Sequence, residues 1–165
     1  MNGNRVLLVI WHSANVEVKL ARELTFFRLN SEKVMSERVM QGILVVDDEP
    51  DICFLFENIL RKRNLRSGYA HNLADAASQL EKKQPALIFL DNSLPDGKGI
   101  DFIPFLKSRY PLVKVVIVTA NDSPEDETAA YLKGADDFLG KPLSMECINR
   151  TLDKNVFRPM DSPVL

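Results

Sequence analysis

Four short apolar runs, each leading to a polar or charged residue, constrain this chain more than any other feature. Ile43-Leu44-Val45-Val46 precedes Asp47-Asp48, Leu87-Ile88-Phe89-Leu90 precedes Asp91, and Val115-Val116-Ile117-Val118 precedes Thr119. Phe138-Leu139-Gly140 leads into Lys141. None of these runs alternates with period two, so each reads as a strand buried on both faces of a parallel sheet. In an open α/β sheet, ligands gather at the carboxyl ends of the strands. Asp47, Asp48, Asp91, Thr119 and Lys141 therefore converge on one edge. Three carboxylates, a hydroxyl and an ammonium at one strand edge point to a divalent cation and phosphoryl chemistry.

Helical stripes fill the gaps between the runs. Ile52, Leu55, Phe56, Ile59 and Leu60 recur at helical spacing over residues 51–63. Residues 65–70 read as a weaker strand, and Asn72 caps a second helix bearing Leu73, Ala76, Ala77 and Leu80. Pro95, Asp96, Gly97 and Gly99 mark a loop after Asp91, and a third helix follows over 100–110 until Pro111. Ser123-Pro124-Glu125-Asp126 opens a fourth helix with a cap, a proline at the first position and early acids. It is poor in large apolar residues, which fits an element that moves and equally an ordinary surface helix. Residues 136–140 form a short strand and 144–154 a last helix. Five βα units predict a doubly wound, flavodoxin-like α/β fold, with helices on both faces of a five-stranded parallel sheet. Bringing Asp47, Asp91 and Thr119 together fits the order 2-1-3-4-5, with the switch point between the first and third strands.

Residues 1–40 fall outside this rhythm. Val6 to Trp11 has strand character, and Val16 to Val39 reads as a helix with Val16, Leu20, Leu24, Phe27 and Val34 on one face. This extension reads as a docking helix, as a cover for the body, or as upstream sequence ahead of a start at Met40; the last is preferred. After Lys154 only a tail remains, and Pro159 and Pro163 argue against further helix. The expected organisation is an extension over 1–40, one folded unit over 41–155 and a tail over 156–165.

The 165 residues suffice for one core. A net charge of −2 gives no bulk attraction for nucleic acid, and nothing is long enough to span a membrane. The basic run Arg61-Lys62-Arg63 reads as cations at a helix C-terminus. Cys53 and Cys147 form no metal motif and read as packing groups in a reducing compartment, so a cytoplasmic location is expected. His12 and His71 read as surface residues, the second near the rim of the strand edge.

Clustered carboxylates repel one another until a proton or a cation relieves them. Oxygen ligands with room for water suit Mg²⁺, with Mn²⁺ the alternative. An aspartate beside such an ion can attack a phosphoryl group and form an acyl phosphate. Lys141 and Thr119 would meet the charge on that group.

Four segments carry a family resemblance: Ile43-Leu44-Val45-Val46-Asp47-Asp48-Glu49, Leu90-Asp91-Asn92-Ser93-Leu94-Pro95-Asp96-Gly97, Val118-Thr119-Ala120 and Gly134-Ala135-Asp136-Asp137-Phe138-Leu139-Gly140-Lys141-Pro142. In order and at strand ends, they make residues 42 to 155 resemble a receiver domain of the bacterial two-component response-regulator family. The resemblance implies that Asp91 accepts a phosphoryl group from a sensor histidine kinase or histidine phosphotransfer protein. It implies Mg²⁺ held by Asp48, Asp91 and the backbone carbonyl of Ser93, with Asp47 acting through water. Thr119 and Lys141 would bind the phosphoryl group, Phe138 would be the switch aromatic, and the Lys141-Pro142 bond would be cis. Ser93 and Asn121 would occupy the positions that tune acyl-phosphate hydrolysis. The output surface would be the fourth helix, fifth strand and fifth helix, acting on a separate output protein and open to a phosphorylation-dependent dimer. No helix-turn-helix or cyclase segment follows in the chain, so it reads as a stand-alone shuttle or phosphate sink or as a fragment of a longer regulator. The resemblance implies a signalling switch rather than an enzyme acting on other molecules. Two alternatives stand beside it. A haloacid-dehalogenase-like phosphatase also uses a strand-end aspartate, but it needs an acid where Ser93 stands and an acidic pair late in the chain. A phosphorylation-independent pseudo-receiver would not need the intact set of five.

Overall fold

The computed structural model describes residues 42–157 apart from 122, together with 19, 22–26, 28–30 and 33 of the N-terminal stretch. Five strands, β1 (Ile43–Val46), β2 (Ser67–Ala70), β3 (Leu87–Asp91), β4 (Lys114–Thr119) and β5 (Asp137–Gly140), alternate with five helices. These are α1 (Pro50–Lys62), α2 (Leu73–Lys82), α3 (Gly99–Arg109), α4 (Pro124–Leu132) and α5 (Met145–Leu152). Every strand pair is parallel. The order is β2-β1-β3-β4-β5, as the sequence predicts.

The inner strands are apolar throughout because both faces are covered. Leu44, Val46, Ile88, Leu90, Val115 and Ile117 pack toward α2, α3 and α4. Ile43, Val45, Leu87, Phe89, Val116 and Val118 pack toward α1 and α5. Phe56 and Phe89 meet there with ring centroids 4.6 Å apart.

The helix starts follow their sequence signals. The side chain of Asn72 accepts from Asp75 N–H, and that of Ser123 from Asp126 N–H. Gly134, at φ 104°, turns the chain after α4. Arg61 and Lys62 do lie in the last turn of α1. Arg63 does more than complement a dipole: it hydrogen-bonds Asn149, pairs with Asp153 and lies over the Phe157 ring. The chain also stays helical beyond α5, in a wider turn over Asp153–Phe157 that buries Asn155 and Val156.

The described residues of the N-terminal stretch are helical and exposed, Leu24 among them. The expected strand at 6–11, His12, Val16, Leu20, Phe27, Val34 and the tail beyond 157 lie outside the described residues. Among those described, no helix is long and apolar enough to cross a membrane. Cys53 and Cys147 are free thiols, both partly buried.

At the end of the sheet away from Asp91, Asp136 gathers three donors. Lys107 Nζ approaches at 2.5 Å, Lys114 Nζ at 2.6 Å and Val115 N–H at 2.9 Å. Burial pushes this carboxyl up, but the two ammonium groups and the amide outweigh it and hold it below the ordinary range. A lowered carboxyl contributes stability that is present above the unfolded-state value and lost as pH falls through the folded-state value. Asp136→Asn should therefore cost about 2 kcal/mol at neutral pH. The gap from wild type should narrow on acidification, as urea unfolding across a pH series would show. A gap that is constant with pH would refute this account.

Candidate functional site

The strand ends deliver the predicted residues to one edge, and most of them meet. Register places β1 beside β3 and β3 beside β4, so Asp47 and Asp91 leave neighbouring strands together. Asp47 and Asp91 are buried, with only 2% and 3% of their surface exposed. Lys141 Nζ lies 2.9 Å from Asp91 Oδ1, 3.1 Å from Asp47 Oδ2 and 2.6 Å from Glu49 Oε1. The amide of Ser93 donates to Asp91 Oδ2 at 2.6 Å, and that of Glu49 to Asp47 Oδ1 at 2.9 Å.

Thr119 is buried at the end of β4, and its hydroxyl accepts from Asn121 N–H at 3.1 Å. Its carbonyl accepts from Lys141 N–H at 2.7 Å, which ties the two residues through the backbone. The Lys141-Pro142 bond is cis. Asp48 is exposed one residue beyond Asp47, and Ser93 is also exposed. Phe138 is half-buried against the cluster under α2, α3 and α4. His71 does reach the rim: its Nδ1 lies 3.1 Å from the Asp47 carbonyl, which also receives Cys53 Sγ at 3.4 Å.

Burial raises the Asp47 carboxyl above the ordinary range, and neighbouring Asp91 adds to this against the opposing pull of Glu49 N–H and Lys141. Lys141 moves up as well. Burial alone would depress it, but Glu49, Asp91 and Asp47 together hold the ammonium charged. Carboxylates outnumber the single ammonium, and a divalent cation fits that excess. Among the described residues, no three His, Cys, Asp or Glu side chains close into a metal cage. The donor set suits an ion that keeps much of its water, as Mg²⁺ does.

Residues that sequence reasoning left aside shape the site from behind. Gly99 opens α3 directly against the backbone of Asp91. Asp96 accepts from Leu73 N–H and Ala74 N–H, both at 2.9 Å, pinning the β3–α3 loop to the start of α2. These hydrogen bonds, Leu73's first, hold its carboxyl below the ordinary range. The Pro-Asp-Gly signal marked a turn, but its partner lies more than twenty residues away.

A parallel sheet with acids at the ends of β1 and β3, a hydroxyl at the end of β4 and a lysine after β5 is the arrangement that the receiver resemblance predicts. The chain belongs to the response regulator receiver domain family, whose profile matches residues 43–153. It is 37% identical over 105 residues to the response regulator protein PilR of Pseudomonas aeruginosa, covering 64% of this chain and 24% of PilR. The beryllofluoride-activated NtrC4 receiver domain dimer superposes with a TM-score of 0.68 at 32% identity, covering 71% of this chain and 97% of that one. A response regulator from Burkholderia pseudomallei, solved with a phosphorylated aspartic acid, calcium ion and citrate, gives 0.63 at 26% identity, covering 70% and 68%. The chain spans about a quarter to a half of the length of the curated relatives it matches.

Proposed function

We propose that Asp91 is the phosphoryl acceptor of a His-Asp phosphorelay. The observation that carries this is the placement of buried Asp91 beside Lys141, Asp47 and Thr119 at the strand edge. Asp91 is the nucleophile: one carboxylate oxygen bonds to phosphorus as the bond from phosphorus to a histidine nitrogen breaks. The imidazole leaves with the electron pair and takes up a proton. Asp48, Asp91 and the Ser93 carbonyl would hold Mg²⁺ or Mn²⁺, with Asp47 acting through water. Such an ion offsets the negative charge that gathers on the transferring group. Lys141 and the Thr119 hydroxyl bind the phosphoryl oxygens.

Phosphorylation then shifts a two-state equilibrium. Thr119 turns toward the phosphoryl group and Phe138 moves inward. The surface of α4, β5 and α5 changes for a partner. In α4 only Ala130 is buried, while Tyr131 and Leu132 are exposed, which supports a loosely held element. A sensor histidine kinase or phosphotransfer protein supplies the group, and an output protein or a second copy reads the result. The dimer described for the NtrC4 receiver supports the last route. We place the receiver unit at 41–155 in the cytoplasm.

Acetyl phosphate with Mg²⁺ tests the reading. Intact mass should show a single phosphoryl adduct that depends on Mg²⁺ and is absent in Asp91→Asn. A folded, Mg²⁺-binding wild type that never gains the adduct would overturn phosphorylation and leave phosphate-free partner binding in its place.

A further inference from the structure

Three carboxylates surround the Lys141 ammonium before any phosphoryl group arrives. It donates to Glu49 Oε1 at 2.6 Å and lies within ion-pair distance of Asp91 at 2.9 Å and Asp47 at 3.1 Å. A phosphoryl oxygen on Asp91 competes with the other two carboxylates for the ammonium, and one of them gives way. Burial decides which. The side chain of Asp47 is 3% exposed, and a buried carboxylate stripped of its partner is costly. The side chain of Glu49 is 59% exposed, so its carboxylate returns to water easily. Its backbone need not follow, because the Glu49 amide holds Asp47 independently of the side chain.

We propose that Glu49 is a positioning residue for Lys141: it is the exchangeable third partner of the ammonium, and its release frees the donor that the phosphoryl group takes. This rests on Asp91 being the acceptor. Glu49 touches no reacting atom. Its contact sets where Lys141 waits and how readily it leaves. Nothing in the Asp47-Asp48-Glu49 spelling shows this, since Glu49 alone reads as an acid ahead of a helix.

Two measurements test it. In the unphosphorylated protein, nitrogen-detected NMR of labelled lysine reads hydrogen exchange at the Lys141 ammonium. Glu49→Gln should speed that exchange about threefold, the scale of one exposed ion pair. An unchanged rate overturns the proposal whether or not the protein is ever phosphorylated. In the second, adduct formation from acetyl phosphate and Mg²⁺ is timed by intact mass. Glu49→Gln should accelerate it about threefold, the scale of the exposed pair that no longer holds the ammonium back. The gain should vanish in a Lys141→Ala background. An equal gain in both backgrounds overturns the proposal by making Glu49 a general field charge. A wild type with no adduct refutes phosphorylation at Asp91 itself, and the exchange measurement still decides whether Glu49 holds Lys141.

Discussion

Gly99→Ala should lower stability by about 2–4 kcal/mol, among the largest losses available to a single methyl group in this fold. A Cβ at this position would lie 2.2 Å from the Asp91 carbonyl oxygen, 2.9 Å from Leu90 Cγ and 3.0 Å from the Asp91 carbonyl carbon. The obstacle is the backbone of a central strand, which no side-chain rotation relieves. Gly99 N–H also donates to Asn92 O at 3.2 Å, and Ile100 N–H to Asn92 Oδ1 at 3.1 Å, so the first turn of α3 cannot back away. Relief has to come from moving the end of β3, which carries Asp91. Under conditions where the variant stays folded, adduct formation should slow by about tenfold, because the nucleophile is displaced. Urea unfolding and timed intact-mass measurement check the two halves. A wild-type unfolding midpoint would show that the strand end yields, contrary to this account.

Asp47→Asn should move stability and ion binding in opposite directions. Burial, with the nearby charge of Asp91, raises the Asp47 carboxyl. A raised carboxyl favours the folded state below the unfolded-state value, and that advantage is lost as pH rises through the folded-state value. At neutral pH the ionised group is therefore held at a cost that the neutral amide avoids. The substituted side chain would keep an oxygen to accept the Glu49 amide. We expect the variant to be more stable than wild type at neutral pH by about 1 kcal/mol, the ordinary scale of a point substitution, with the difference closing on acidification. We expect its Mg²⁺ affinity to fall about tenfold, since a carboxylate is lost from the ion's surroundings. Thermal unfolding across pH and titration with Mg²⁺ give both numbers. A variant less stable than wild type at neutral pH would show that the Lys141 contact outweighs the burial cost. Stability given up at a site for binding is the expected trade.

Much of the architecture was legible because each signal is local. The apolar runs at Ile43, Leu87 and Val115 are covered on both faces, and the caps at Asn72 and Ser123 work as their spelling says. The meeting of Asp47, Asp91, Thr119 and Lys141 was legible for the same reason: each lies at or just past a strand end, and a parallel sheet brings strand ends together. What escaped depends on partners far along the chain. Asp96 reads as part of a turn and serves as an anchor for α2. Asp136 reads as part of a family motif and holds two lysines from α3 and β4. Arg63 reads as a helix-end cation and joins α1 to the turn after α5. Pro104, by contrast, removes one backbone donor inside α3, and the helix runs through it as the reading of residues 100–110 has it.

The position of β1 sets an order of events during synthesis. It opens the folded body, yet its two neighbours, β2 and β3, both come later in the chain. Leu90, which faces Val46 across the β1–β3 ladder, emerges 44 residues after its partner. Until then the apolar run Ile43-Leu44-Val45-Val46 has no strand on one side. A nascent chain halted before Leu87 would carry that unpaired edge into contact with chaperones or with other copies of itself.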